Sequence, residues 1–192
     1  MSDVALPSIA GAHRLIVVVG PSGAGKDSVL RAWRASLGDH APAIARRVIT
    51  RAPDDSESHE AVTSGDFAGL RGRGLLATWW QAHGLDYGVR RSELAPLADD
   101  RWVVLNGSRA HLPALRAQAP GVRVVCVSAP ARLLASRLAA RGREDADARD
   151  ARLARTIPAP VAADLSLVND GDLGECVQAL SRWWSALRFG ER

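Results

Sequence analysis

The sequence predicts an α/β protein with a parallel sheet flanked by helices. Three observations predict it. Short β-branched apolar runs recur along the chain, and segments with helical periodicity separate them. The first run ends in a glycine-rich turn that opens directly into a helix. The chain has 192 residues, 47% hydrophobic and 24% charged, which suits one ordinary globular domain with a sizeable core.

Each element follows from its residues. Leu15 to Val19 reads as a buried strand, followed by a helix from about Asp27 to Leu37. Arg46 to Ile49 reads as a second short strand, and 54–58 as a polar turn. Leu75 to Trp80 and Asp86 to Val89 flank His83-Gly84, the pattern of a hairpin. Val103 to Leu105 is a buried strand stopped by Asn106-Gly107, and Val122 to Val127 is the next. Pro130 opens a helix reaching about Ala140, at a position where its missing N–H costs little. Leu165 to Val168 is a late strand stopped by Asn169-Asp170-Gly171. In the last helix, from about Leu173 to Leu187, Val177, Leu180, Trp184 and Leu187 fall at helical spacing. The expected organisation is a single domain over 1–192: a core of 14–49 and 101–192, an insertion at about 50–90, and a basic lid at about 141–152.

No apolar run approaches the roughly 18 residues of a membrane span, and the N-terminus lacks a secretory pattern. Two distant cysteines, Cys126 and Cys176, argue against a disulfide scaffold and for a reducing cytoplasm. The five histidines show no zinc-ligand spacing. The net charge is +4, but its 25 basic residues are one lysine and 24 arginines spread along the chain. That dispersal argues against nucleic acid as the partner, and guanidinium forks suit phosphates on small molecules equally well. Oligomeric state is not set by the sequence, and a homodimer stays open.

Gly20-Pro21-Ser22-Gly23-Ala24-Gly25-Lys26-Asp27-Ser28 carries the strongest chemical signal. It matches the G-x-x-x-x-G-K part of the Walker A phosphate loop, set between a strand and a helix as the mechanism demands. Glycines let backbone amides close on a polyphosphate, and the helix that follows turns its positive end toward the same anion. Lys26, the one lysine in the chain, is the expected catalytic contact to the β- and γ-phosphates of ATP. Asp27 replaces the usual Ser or Thr, with Ser28 next, so the expected Mg²⁺ ligand is the Asp27 carboxylate, directly or through water. Residues 132–155 are rich in arginine; Arg137 and Arg141 are four apart, and Arg152 follows beyond Gly142. Arg137, Arg141 and Arg152 are the expected lid arginines that stabilise the transferring phosphoryl group. On the acceptor side, Arg51, His59, Tyr87, Asn106, Ser108 and Arg109 are candidate anion or hydroxyl contacts.

With these residues in view, the chain resembles the guanylate-kinase branch of nucleoside monophosphate kinases, and within it the ribose 1,5-bisphosphate phosphokinases of phosphonate metabolism. The carrying stretches are 20–28, Ile49-Thr50-Arg51, Ser56-Glu57-Ser58-His59, 83–89, 104–113 and Arg141-Gly142-Arg143-Glu144. The resemblance adds Glu57 to the acceptor set. It implies a P-loop NTPase fold with a guanylate-kinase-like acceptor subdomain and an arginine-rich lid. Guanylate kinases read guanine with an acid near Thr78 and a hydroxyl at Val89; neither is present, and Asn106 stands where they carry a carboxylate. The resemblance therefore implies a sugar-phosphate acceptor: ATP and ribose 1,5-bisphosphate would give ADP and 5-phosphoribosyl 1-diphosphate. Phosphorylation of GMP and a non-catalytic binding module are the competing readings.

Overall fold

β1 (Leu15–Val19) is buried at every position, so no water-facing edge limits how apolar it can be. The computed structural model describes residues 6–52, 58–140 and 161–190. The chain carries two sheets. Beside β1, the first contains β2 (Ala43–Ala45), β7 (Val103–Asn106), β8 (Arg123–Ser128) and β9 (Leu165–Val168), in the order β2-β7-β1-β8-β9. β2 runs parallel to β7, and β8 parallel to β9. The second is a four-stranded sheet of β3 (Arg47–Ile49), β4 (His59–Ala61), β5 (Leu76–Ala82) and β6 (Leu85–Arg90), in the order β4-β3-β6-β5. It is mixed: β3 is parallel to β4 and antiparallel to β6, which is antiparallel to β5.

The expected strand Arg46–Ile49 is thus corrected. The segment holds two three-residue strands, β2 and β3, that belong to different sheets. Arg46 lies between them, and its N–H donates to the Glu93 carboxylate at 2.8 Å. The hairpin matches its expectation. His83 and Gly84 both take positive φ, 54° and 71°, which a two-residue primed turn requires.

Contacts divide the chain into two compact units. The first is Met1–Val17 with Pro42–Arg123. Its helix α2 (Ser64–Gly72) starts at Thr63, whose Oγ1 accepts the Asp66 N–H at 3.1 Å. Phe67 and Leu70 of α2 pack with Val48 and Leu76. Gly88 permits the approach: a Cβ there would lie 3.0 Å from Leu76 Cδ1 and 3.2 Å from Phe67 Cε2. A 3-10 stretch, Arg91–Asp99, buries Leu94 and Leu97, and α3 (Leu112–Gln118) buries Leu112 and Leu115.

The second unit is Val18–Ala41 with Val124–Arg192. It holds α1 (Lys26–Leu37), α4 (Ala131–Ala140) and α5 (Leu173–Gly190). Val29, Leu30 and Trp33 form the buried face of α1; Cys176, Leu180 and Trp184 form that of α5, at four-residue spacing. The faces meet at Trp33 and Trp184, edge to face with centroids 5.7 Å apart. No helix among the described residues is long and apolar enough to cross a membrane.

Candidate functional site

The phosphate loop forms as its glycines dictate. Gly20 follows the buried β1, and a Cβ at this position would overlap the carbonyl oxygen of Val127 on β8. Gly25 is the N-cap of α1 with φ 82°, a conformation that costs glycine little and other residues much. The chain thereby turns sharply from β1 into α1, placing the positive end of a 12-residue helix behind the loop.

A loop that aims its amides at an anion must give its carbonyls other donors. Lys26 Nζ donates to the carbonyls of Gly20 and Pro21, 3.0 Å each. Arg137, on α4, donates from Nη1 to the Gly23 carbonyl at 3.4 Å. Asn169, just past β9, donates from Nδ2 to the Ala24 carbonyl at 2.8 Å. Asn169 is buried, and a Cβ on Gly25 would overlap its Nδ2. From sequence Asn169 is only a strand terminator, because its partner lies 145 residues away. Asp27 sits half-buried in the first turn of α1, and Ser28 is exposed. No cluster of three or more metal-ligating side chains occurs among the described residues. A single hard carboxylate oxygen beside an anion loop suits Mg²⁺ carried in with a nucleotide's phosphates.

The acceptor candidates lie in the first unit. Arg51 follows β3, so it lies beyond the end of a strand of the mixed four-stranded sheet. His59 Nε2 donates to the Arg51 carbonyl oxygen at 3.3 Å. Tyr87 on β6 stands opposite Ile49 on β3, and the Arg47 guanidinium lies 5.7 Å from its ring centroid. The sheet thus brings Arg51, His59 and Tyr87 onto neighbouring strands. Asn106 ends β7 in a buried position, and Ser108 and Arg109 follow half-buried. Glu57, Arg141 and Arg152, with the expected lid at about 141–152, lie outside the described residues.

Two residues absent from the sequence-based set join the acceptor elements. Trp80 on β5 stacks on Tyr87, with centroids 5.5 Å apart and planes 7° from parallel. His111, just before α3, stacks on the same Trp80 at 5.1 Å. His111 Nε2 also bonds Thr78 Oγ1 at 2.7 Å, and burial pushes its imidazole below the ordinary value of 6.5, toward the neutral form. Thr78 and Val89 are fully buried, and the Thr78 hydroxyl donates to Gln118 Oε1 at 3.0 Å. The chemistry of this surface is therefore a phenol, guanidinium groups and a turn rich in polar side chains.

No family model matches the chain. Curated relatives do. The ribose 1,5-bisphosphate phosphokinase PhnN of Acidiphilium cryptum is 50% identical over 159 residues, covering 82% of this chain and 84% of that protein. The protein of the same name from Burkholderia mallei is 43% identical over 172 residues, covering 88% and 94%. A bifunctional ribose 1,5-bisphosphokinase-thymidine phosphorylase of Cupriavidus necator is 44% identical over 178 residues, 91% of this chain and 29% of that longer protein. Among solved structures, guanylate kinase from Anaplasma phagocytophilum superposes with a TM-score of 0.61 at 20% identity, covering 95% of this chain and 86% of that one. That likeness shows a guanylate-kinase-like fold.

Proposed function

Because the chain belongs to the ribose 1,5-bisphosphate phosphokinase family, we propose that it transfers the γ-phosphoryl group of ATP to the anomeric phosphate of ribose 1,5-bisphosphate. The products are ADP and 5-phosphoribosyl 1-diphosphate. The observation that carries the phosphotransfer is the loop: its carbonyls are engaged by Lys26, Arg137 and Asn169, and the helix end lies behind it.

The reaction makes few demands on acid–base chemistry. An oxygen of the acceptor phosphate is already ionised at neutral pH, so it attacks the γ-phosphorus with no proton to remove. The bond from that phosphorus to the β–γ bridging oxygen breaks, and ADP leaves with the charge. What the protein supplies is position and fixed positive charge. Lys26 exchanges the Gly20 and Pro21 carbonyls for the β- and γ-phosphates of the nucleotide. Arg137, and with it Arg141 and Arg152, offers forks to the equatorial oxygens. Asp27 would hold Mg²⁺, directly or through water, and the ion would neutralise charge on the phosphates. Arg51, Glu57, His59, Tyr87, Asn106, Ser108 and Arg109 form the proposed acceptor set. On the same sheet the buried Thr78 hydroxyl is already bonded to protein and Val89 offers no hydrogen bond, which supports a sugar phosphate over a purine base. A cytoplasmic setting goes with this reading, in keeping with the free thiols of Cys126 and Cys176.

Coupled ADP release tests the proposal, with ribose 1,5-bisphosphate and GMP as parallel acceptors. Turnover on the sugar bisphosphate and little on GMP is expected. Robust turnover on GMP alone would make the protein a guanylate kinase. No turnover and no ATP binding would make it a binding module.

A further inference from the structure

The hydrogen bonds around Thr78 have a single consistent direction. Gln118 Nε2 donates to the Ala77 carbonyl at 3.4 Å, so Gln118 Oε1 faces Thr78 as an acceptor. The Thr78 hydroxyl has one proton, and it goes to that oxygen at 3.0 Å. Thr78 Oγ1 must then accept from His111, which fixes the imidazole as the Nε2–H tautomer at 2.7 Å. His111 and Gln118 are seven residues apart, two helical turns, at the two ends of α3. Both ends of the helix are thus bonded to one hydroxyl on β5, which is inaccessible to solvent.

The stacking points the same way. His111 lies 5.1 Å from Trp80, and Trp80 lies 5.5 Å from Tyr87. The end of β7 and the turn that leads to His111 carry Asn106, Ser108 and Arg109, and the His111 N–H donates to the Ser108 carbonyl at 3.2 Å. Two groups of acceptor candidates, one on the hairpin and one on the turn after β7, are therefore joined through this one ring. A buried apolar contact could hold α3 to β5 without specifying an orientation. A buried hydroxyl with a defined donor and a defined acceptor specifies one arrangement.

We propose that His111 is a positioning residue for the acceptor: clamped by Thr78 and stacked on Trp80, it sets the turn of Asn106, Ser108 and Arg109 in register with Tyr87. The proposal rests on the reading that this unit receives the sugar phosphate. His111 acts through its neighbours and takes no part in the chemical step. Its loss therefore spreads the acceptor contacts while leaving the phosphate loop as it is.

His111→Phe and Thr78→Val test the clamp. The first keeps a ring for Trp80 and removes the donor; the second keeps the shape and removes the hydroxyl. Each should raise the KM for ribose 1,5-bisphosphate about tenfold, the size of one lost buried hydrogen bond, with the KM for ATP within about twofold of the parent. His111→Gly should lose more, and added imidazole should recover part of it. Nitrogen-15 spectra of the parent should show a protonated Nε2 that Thr78→Val perturbs. The proposal is overturned by an unchanged acceptor KM in both conservative variants, by the two KM values rising together with a fall in melting temperature, or by a protonated Nδ1 in place of Nε2. If the parent uses another acceptor, the reading of the substrate fails, and the clamp is judged by that acceptor's KM and by the same spectra.

Discussion

Lys26 holds two loop carbonyls that a bound nucleotide would leave without their donor, so it is a charge waiting for a better partner. Lys26→Ala should lower kcat by about 10²- to 10³-fold, as removal of one preorganised charge contact does elsewhere, with the melting temperature little changed. Steady-state rates beside a thermal melt check it; turnover near that of the parent would reduce Lys26 to a structural role. Asn169 presents the opposite case. It is buried, donates to Ala24, and leaves its Oδ1 buried without a partner among the described residues. Asn169→Asp keeps the shape but turns an acceptor with negative charge toward a carbonyl. ATP binding, followed by calorimetry, should weaken by about tenfold or more, with acceptor KM unmoved. Equal ATP affinity in parent and variant would remove Asn169 from the loop's support.

Close approaches, more than helix or strand propensity, set the elements. A Cβ at Gly88 would press on both Phe67 of α2 and Leu76 of β5. Gly88→Ala should therefore cost about 1–3 kcal/mol, read from denaturant unfolding, with a larger effect on acceptor KM than on ATP KM because β6 carries Tyr87. An unchanged midpoint would show that α2 yields freely. These elements also show what the sequence could reveal. The His83-Gly84 turn was legible because a positive-φ pair between apolar runs has few other uses. The two strands at 43–49 were not, since three residues are too few for a period and the backbone N–H of Arg46 between them is bonded to the Glu93 carboxylate instead of to a strand. The helix α2 has no clear sequence signal because Gly65, Gly69 and Gly72 lower its propensity, while its cap at Thr63 and its packing of Phe67 supply what propensity lacks. The phosphate loop was legible because its spacing is local. Asn169 and His111 were not, because each earns its place through contacts with distant parts of the chain.

At the scale of the whole chain, two shifted groups give stability a defined pH dependence. Hydrogen bonding to Arg90 lowers Glu60 below 4.5 against the opposing effect of burial, so its contribution is present above that value and is lost as pH falls through the folded one. Burial lowers His111 below 6.5, so on acidification from that value the unfolded chain takes up a proton before the folded chain does, and stability falls. Melting temperatures should decline in two steps between pH 8 and 3. Glu60→Gln should flatten the lower step, and His111→Phe the upper one; a profile unaltered by either substitution would contradict the assignment. The family is settled at this scale by relatives such as those 43% and 50% identical, and the fold by the guanylate-kinase-like superposition.

Phosphorus-31 spectra of the protein with equimolar ATP and ribose 1,5-bisphosphate test the central claim most directly, because they report which oxygen receives the phosphoryl group. The account predicts loss of the γ resonance, growth of ADP, and a new pair of coupled diphosphate resonances on C1 beside an unaltered 5-phosphate monoester. ADP and inorganic phosphate as the only new species, or a diphosphate formed at the 5 position, would contradict it.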